Sequence, residues 1–258
     1  MHTVYSHFMS GEVTLRKSGG IAFLSLRNSG KFNAISSAML DQFVSEAEKI
    51  EEDGEIRAVL IHGMDGNFSS GADLEDLVKM DTSSALAFHR KMNTLSRLMR
   101  NSSKIYIALL EGFALGGGFE LSLSADIRIC ADNVKLGQPE INIGLNAGAG
   151  GNAILPKYVG RGNAMHLILT GEKFDARKGL ELGIIQKVVP QAELYHEGEN
   201  LAKRIASLPK ETVALTKMAV NASMDSSVDA ALDTEALAFS LLNGQKEIKE
   251  KIRKFLEK

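Results

Sequence analysis

Through residue 110 the chain alternates short apolar runs with segments of helical period, and that rhythm leaves few folds open. Glu12 to Arg16 and Ile21 to Leu26 alternate apolar and polar positions on either side of Gly19-Gly20, which predicts a hairpin. Met39, Leu40, Phe43, Ala47 and Ile50 share one face of a 3.6-residue period. A helix is therefore expected from about Ser37 to Glu51, capped by Ser36 or Ser37 and ended by Gly54. Ala58-Val59-Leu60-Ile61 reads as a buried strand, Ser83 to Met99 as a second helix, and Ile105 to Leu110 as the next strand. Such β-α-β-α-β order favours an α/β core with parallel strands and right-handed crossovers.

After about Gln191 the strand signals fade and helical periodicity takes over, with Pro209 suited to a first helical turn and Gly244 between two further helices. The expectation is an α/β core over residues 1–190 and a helical C-terminal region over 191–258. The 44% hydrophobic and 24% charged composition is that of a globular chain able to bury a core. A single cysteine, Cys130, excludes an internal disulfide framework and a cysteine-based zinc site. The six histidines show no metal-binding spacing and read as surface or internally satisfied residues, so no metal is expected. No apolar run reaches the roughly 18–20 residues that cross a bilayer. Met1 to Ser10 lack the basic-then-apolar order of a secretory signal, so a cytoplasmic protein is expected. The net charge of −2 argues against a large nucleic-acid footprint, and neither nucleic acid nor membrane is an expected partner.

The middle of the chain is dense in glycine, from Gly112 through Gly116-Gly117-Gly118 to Gly148, Gly150 and Gly151. Backbone of this kind turns tightly or comes close to something. Three stretches there carry chemical groups. Asn67 to Leu74 follows a strand and precedes a helical turn, so its amides can face outward as an anion nest. Glu111 to Glu120 places three glycines where a helix begins, and Leu136 to Glu140 sets a carboxylate after a proline. Two loops that each offer a free amide form an oxyanion hole, and Glu120 and Glu140 can move protons on either side of the activated carbonyl. That combination suits enolate chemistry, although spacing alone does not bring the parts together.

The chain resembles the enoyl-CoA hydratase/isomerase (crotonase) superfamily from about Val13 to Glu257. The resemblance rests on Asn33-Ala34-Ile35, Ser70-Gly71-Ala72-Asp73, Ala114 to Glu120, Gly137 to Glu140 and Gly148 to Gly151, taken in order. Leu169-Thr170-Gly171, Leu182 to Ile185, Val188-Val189-Pro190 and Leu215-Thr216-Lys217 continue it. It implies a spiral of β-β-α units with a C-terminal helical trimerisation region, assembled as a homotrimer or a dimer of trimers. It implies oxyanion amides at Ala72 and Gly117, with Glu140 protonating C2 and Glu120 activating the water that attacks C3. A coenzyme A site would lie along Lys31, Ala34, Ser70, Asp73 and Leu74. No cofactor is implied, since coenzyme A is part of the substrate.

The expected activity is addition of water to a trans-2-enoyl-CoA. A double-bond isomerase, a hydrolase or a decarboxylase built on the same hole, or a silent or RNA-binding relative, stays open at this point. Asn146-Ala147 and Asn152-Ala153-Ile154 depart from common family residues beside the acyl pocket, which leaves the acyl preference open. Gly148 to Ala153 also fits a dinucleotide fingerprint, but such a fingerprint needs a strand immediately before it, which Pro139 and Gly144 argue against. Ser69-Ser70-Gly71 fails as a nucleophile elbow because residue 67 is asparagine.

Overall fold

The computed structural model describes residues 11–257, so the expectation placed on Met1 to Ser10 lies outside the described residues. The hairpin forms as expected but longer: β1 (Glu12–Ser18) pairs antiparallel with β2 (Ile21–Arg27). Its two-residue turn is Gly19-Gly20, with φ of 58° and 78°. Two positive φ values define the turn whose twist matches that of paired strands, and glycine takes them without steric cost.

Helix α1 (Ser37–Glu52) follows, with the Ser36 hydroxyl accepting from the Met39 amide, and the five apolar residues of its predicted face are the buried ones. Then come β3 (Ala58–Gly63), the single turn α2 (Leu74–Leu77) and α3 (Thr82–Asn101). Strand β4 is Ile105–Leu110, β5 Phe113–Leu115, and helix α4 Gly117–Leu123. Strands β6 (Ile127–Ala131) and β7 (Lys135–Gly137) lead into a 3₁₀ turn at Pro139–Ile143 and then α5 (Leu155–Thr170). After β8 (Phe174–Asp175), α6 (Ala176–Glu181) and β9 (Lys187–Val189), the described chain holds no further strand. Helices α7 (Leu194–Ala206), α8 (Lys210–Asp225), α9 (Val228–Asn243) and α10 (Lys246–Leu256) complete it.

The large sheet runs β1-β2-β3-β4-β6-β9, parallel from β2 onward. Its strands alternate between two apolar layers, as period-2 geometry requires. Ala22, Leu24, Val59, Ile61, Tyr106 and Ala108 face the core containing α1 and α3. Ile21, Phe23, Ala58, Leu60, Ile107 and Leu109 face Leu194, Ala202 and Ile205 of α7. Helix α7 thus covers the second face of the sheet. A small sheet, β5-β7-β8, stands apart from the large one and carries the site loops at its edge. The mixed α/β architecture of β-β-α units is the expected one.

Helix α4 is seven residues long and buried along nearly all of its length. Arg128, fully enclosed, fixes it by donating to the Ser122 carbonyl at 3.0 Å and the Ala125 carbonyl at 2.7 Å, with Nε reaching the Ile184 carbonyl at 2.6 Å. A cation on the carbonyls at a helix C-terminus satisfies acceptors that have no helical partner and complements the helix dipole. The other end of α4 points into the candidate site.

Candidate active site

Two loops meet at the start of α4. Residues 69–73 are stitched between the 33–35 segment and β5. The Ser69 amide donates to the Phe113 carbonyl at 2.8 Å, and the Leu115 amide donates to the Ser69 carbonyl at 3.0 Å. On the other side the Ile35 amide donates to the Gly71 carbonyl at 2.7 Å, and the Asp73 amide to the Ile35 carbonyl at 3.0 Å. In this parallel bridge the flanking residues do the bonding, so the Ala72 N–H on the opposite edge has no partner among the described residues. Gly117 opens α4, where the first amides have no intrahelical acceptor, and its N–H is likewise unpaired.

These two amides are neighbours. A β-carbon on Gly117 would lie 3.5 Å from Ala72 N, and one on Gly71 would lie 3.3 Å from Gly117 N. The three consecutive glycines each have their own reason. Gly116 has φ 49°, and a β-carbon there would sit 3.0 Å from Glu140 Oε1. Gly117 lies against Ala72, and Gly118 packs on Ser69, whose backbone oxygen would be 2.6 Å from an added β-carbon.

Glu120 projects from α4 one turn beyond Gly117 and is 2% exposed. Its Oε1 accepts the Ala149 amide at 2.7 Å and the Gly151 amide at 2.9 Å. Burial raises its proton affinity, while these amides and nearby His89 oppose the rise. Glu140 sits in the 3₁₀ turn begun by Pro139, with its carboxyl against Gly116. Burial, joined by the like charge of Glu120, pushes its pKa up to about 7. With the buried Gln138 amide turned so that its nitrogen faces the acid, that nitrogen donates to both Glu140 oxygens at 3.0 and 2.9 Å. The site therefore brings together two carboxyls of raised proton affinity and two amides without partners among the described residues. Such an arrangement can stabilise charge on a carbonyl oxygen while giving and taking protons.

The remaining expected residues line the same loops. Ser70 donates its hydroxyl to the Lys31 carbonyl at 2.9 Å and its amide to the Phe32 carbonyl, and Ala34 is buried beside them. Lys31 Nζ is held by both Asp73 and Glu75, each at 2.9 Å, and these two carboxylates raise its proton affinity. Asp73 also caps α2 by accepting the Glu75 amide at 3.0 Å, and Leu74 is exposed. Gly148 to Ala153 forms no dinucleotide loop, since a 3₁₀ turn and not a strand comes before it and its amides bind Glu120. From its sequence context His89 is expected to be a surface or satisfied, partly buried residue. It is half-buried against Gly148, and its Nδ1 lacks a partner among the described residues.

The sequence profile described as enoyl-CoA hydratase/isomerase matches residues 16–258. The chain is 34% identical over 247 residues to a short-chain-enoyl-CoA hydratase of Clostridium acetobutylicum, covering 95% of each. It is also 34% identical to a crotonyl-CoA hydratase of Syntrophomonas wolfei, again over 95% of both chains. Among solved structures, an enoyl-CoA hydratase from Thermoplasma volcanium superposes with a TM-score of 0.89 at 40% identity, covering 96% of this chain and 99% of that one.

Proposed function

The chain belongs to the enoyl-CoA hydratase/isomerase family, and on that footing we propose that it is an enoyl-CoA hydratase, adding water across the 2,3 double bond of a trans-2-enoyl-CoA. The observation that carries the reading is the pair of adjacent amides at Ala72 and Gly117, unpartnered among the described residues, in a site that also holds the buried Glu120 and the half-buried Glu140. The thioester oxygen accepts both N–H groups, and each donor is worth roughly 3 kcal/mol to the charge that develops there. Glu120 takes a proton from water as its oxygen bonds to C3. Glu140 gives its proton to C2, which a pKa of about 7 suits. The product is a 3-hydroxyacyl-CoA. Only protons and a hydroxyl move, so the proposal calls on no metal or redox cofactor.

Coenzyme A lies, in this reading, along Lys31, Ala34, Ser70, Asp73 and Leu74, with the Lys31 cation already neutralised by Asp73 and Glu75. The assembly is a homotrimer or a dimer of trimers formed through the C-terminal helices. Exposed Leu237, Phe239 and Leu241 on α9 and Phe255 and Leu256 on α10 support it, because so much apolar surface on neighbouring helices usually marks an interface. The protein works in the cytoplasm, where the buried free thiol of Cys130 stays reduced. Among the described residues no helix is long and apolar enough to span a membrane. Loss of the conjugated thioester absorbance of crotonyl-CoA on adding the protein tests the reading, and a product that is an isomer or free coenzyme A would replace it.

A further inference from the structure

The two acids of the site stand on different supports. Glu120 rides on α4 and is gripped by the Ala149 and Gly151 amides, at 2.7 and 2.9 Å. Glu140 comes from the short 3₁₀ turn that follows β7. Protonating C2 with one acid while the other takes a proton from water at C3 requires the two carboxyls to keep a fixed relation, since small misplacements of reacting groups cost rate steeply. Neither support alone sets that relation.

Gln138 touches both. It is 1% exposed. With its nitrogen toward the acid, its amide donates to the two Glu140 oxygens at 3.0 and 2.9 Å; in the opposite orientation its oxygen would face only acceptors and its nitrogen only donors. The same amide packs on Gly151, where an added β-carbon would lie 2.9 Å from Gln138 Cδ. Gly151 is the residue whose N–H holds Glu120 Oε1. One buried amide therefore meets the carboxyl of one acid and the main chain that grips the other. The backbone that carries it is itself held. Gly137 ends β7 in register with Leu115 of β5, its carbonyl accepts the Gly116 amide at 2.9 Å, and Pro139 follows directly. An apolar side chain of the same length would fill the space, but only the amide offers a donor to Glu140.

We propose that Gln138 is a positioning residue for hydration, fixing the Glu140 carboxyl relative to Glu120 through its donor nitrogen on one and its packing against Gly151 beside the other. The role rests on the hydratase reading and acts through Glu140, without touching substrate. Donation to the carboxyl favours the ionised form that Glu140 reaches once its proton has gone to C2. It thereby opposes burial and the like charge of Glu120 on α4, which both favour the protonated form.

Steady-state hydration of crotonyl-CoA by Gln138→Met across pH tests the role, since methionine keeps the length and bulk and removes the donor. Its kcat falls about tenfold while KM stays within about twofold of the parent, as for a group that acts on the transition state. Without the donor the ionised form of Glu140 is less favoured, so the fall of kcat/KM at high pH moves up by about one pH unit. Should Gln138→Met fail to fold, Gln138→Glu, of the same shape, moves that limb in the same direction, because an ionised carboxylate cannot donate and repels Glu140. A lower kcat with an unmoved limb reduces Gln138 to packing and overturns the proposal, as do parental kcat and limb in both variants. Parental protein that hydrates no crotonyl-CoA overturns the hydratase reading and the positioning role together, whereas an active parent with an unmoved limb in the variants overturns the role alone.

Discussion

Two of the regions in which this molecule buries charge treat it in opposite ways. On α8, Lys217 is enclosed, and its Nζ spends all three protons on the Met99 carbonyl at 2.7 Å, the Lys104 carbonyl at 2.8 Å and Asp126 at 2.8 Å. Asp126 in turn accepts the Tyr106 amide at 2.8 Å. Every member of that cluster is satisfied, and together they tie the end of α3 and the start of β4 to the C-terminal helices. At the candidate site the balance is left open: two amides and one imidazole nitrogen have no partner among the described residues, and two carboxyls are held at raised proton affinity. Saturated buried charge holds structure together. Unsatisfied polarity of this kind keeps capacity for a ligand and for proton transfer.

The comparison breaks most sharply at the acids. Glu120→Ala and Glu140→Ala are each expected to lower kcat by about 10²–10⁴-fold while thioester affinity changes little. Steady-state kinetics with separate binding titration checks this, and near-normal turnover in either variant removes the two-carboxylate chemistry. The saturated cluster should answer in the other currency. Lys217→Met strands Asp126 without its cation and is expected to cost about 3–5 kcal/mol of stability, read by denaturant unfolding, with turnover per folded molecule unchanged. A smaller effect tests the glycine arch. Gly116→Ala forces a side chain into a positive-φ conformation outside the left-handed helical region (φ 49°, ψ −126°), at about 1–3 kcal/mol, and crowds the Glu140 carboxyl, so its loss should fall on kcat more than on KM.

The smallest effects are those of pH. Glu140 acts as an acid, so kcat/KM should fall as pH rises through about 7. The same carboxyl has its folded pKa raised above the unfolded value, so its contribution to stability is present at low pH and lost as pH rises toward 7. Glu140→Gln should accordingly raise Tm more at about pH 8 than at about pH 5. Equal shifts at both values would show that the site carries no such cost.

Much of the fold was legible because long elements write their period into the sequence. The α1 face, the Gly19-Gly20 turn and strands β3 and β4 follow from apolar spacing alone. Strands β5, β7, β8 and β9 were not legible, since runs of two or three residues show no period. The small sheet that carries the site loops was therefore unseen. Helix α3 begins at Thr82, its cap at Asp81 showing only once the Ser84 amide is seen bonding to it. At the site, Glu120, Glu140 and the two amide loops stood out through their motifs. The capture of Lys31 by Asp73 and Glu75 and the packing of His89 on Gly148 did not, because both join residues far apart in sequence through contacts that no local pattern encodes.

A crystal structure with a non-reacting acyl-CoA thioester bound tests the central claim most directly. The account predicts the thioester oxygen at about 2.7–3.1 Å from both Ala72 N and Gly117 N, with C2 and C3 lying between the carboxyls of Glu140 and Glu120. A thioester oxygen that reaches neither amide, or an acyl group seated away from both acids, would contradict it.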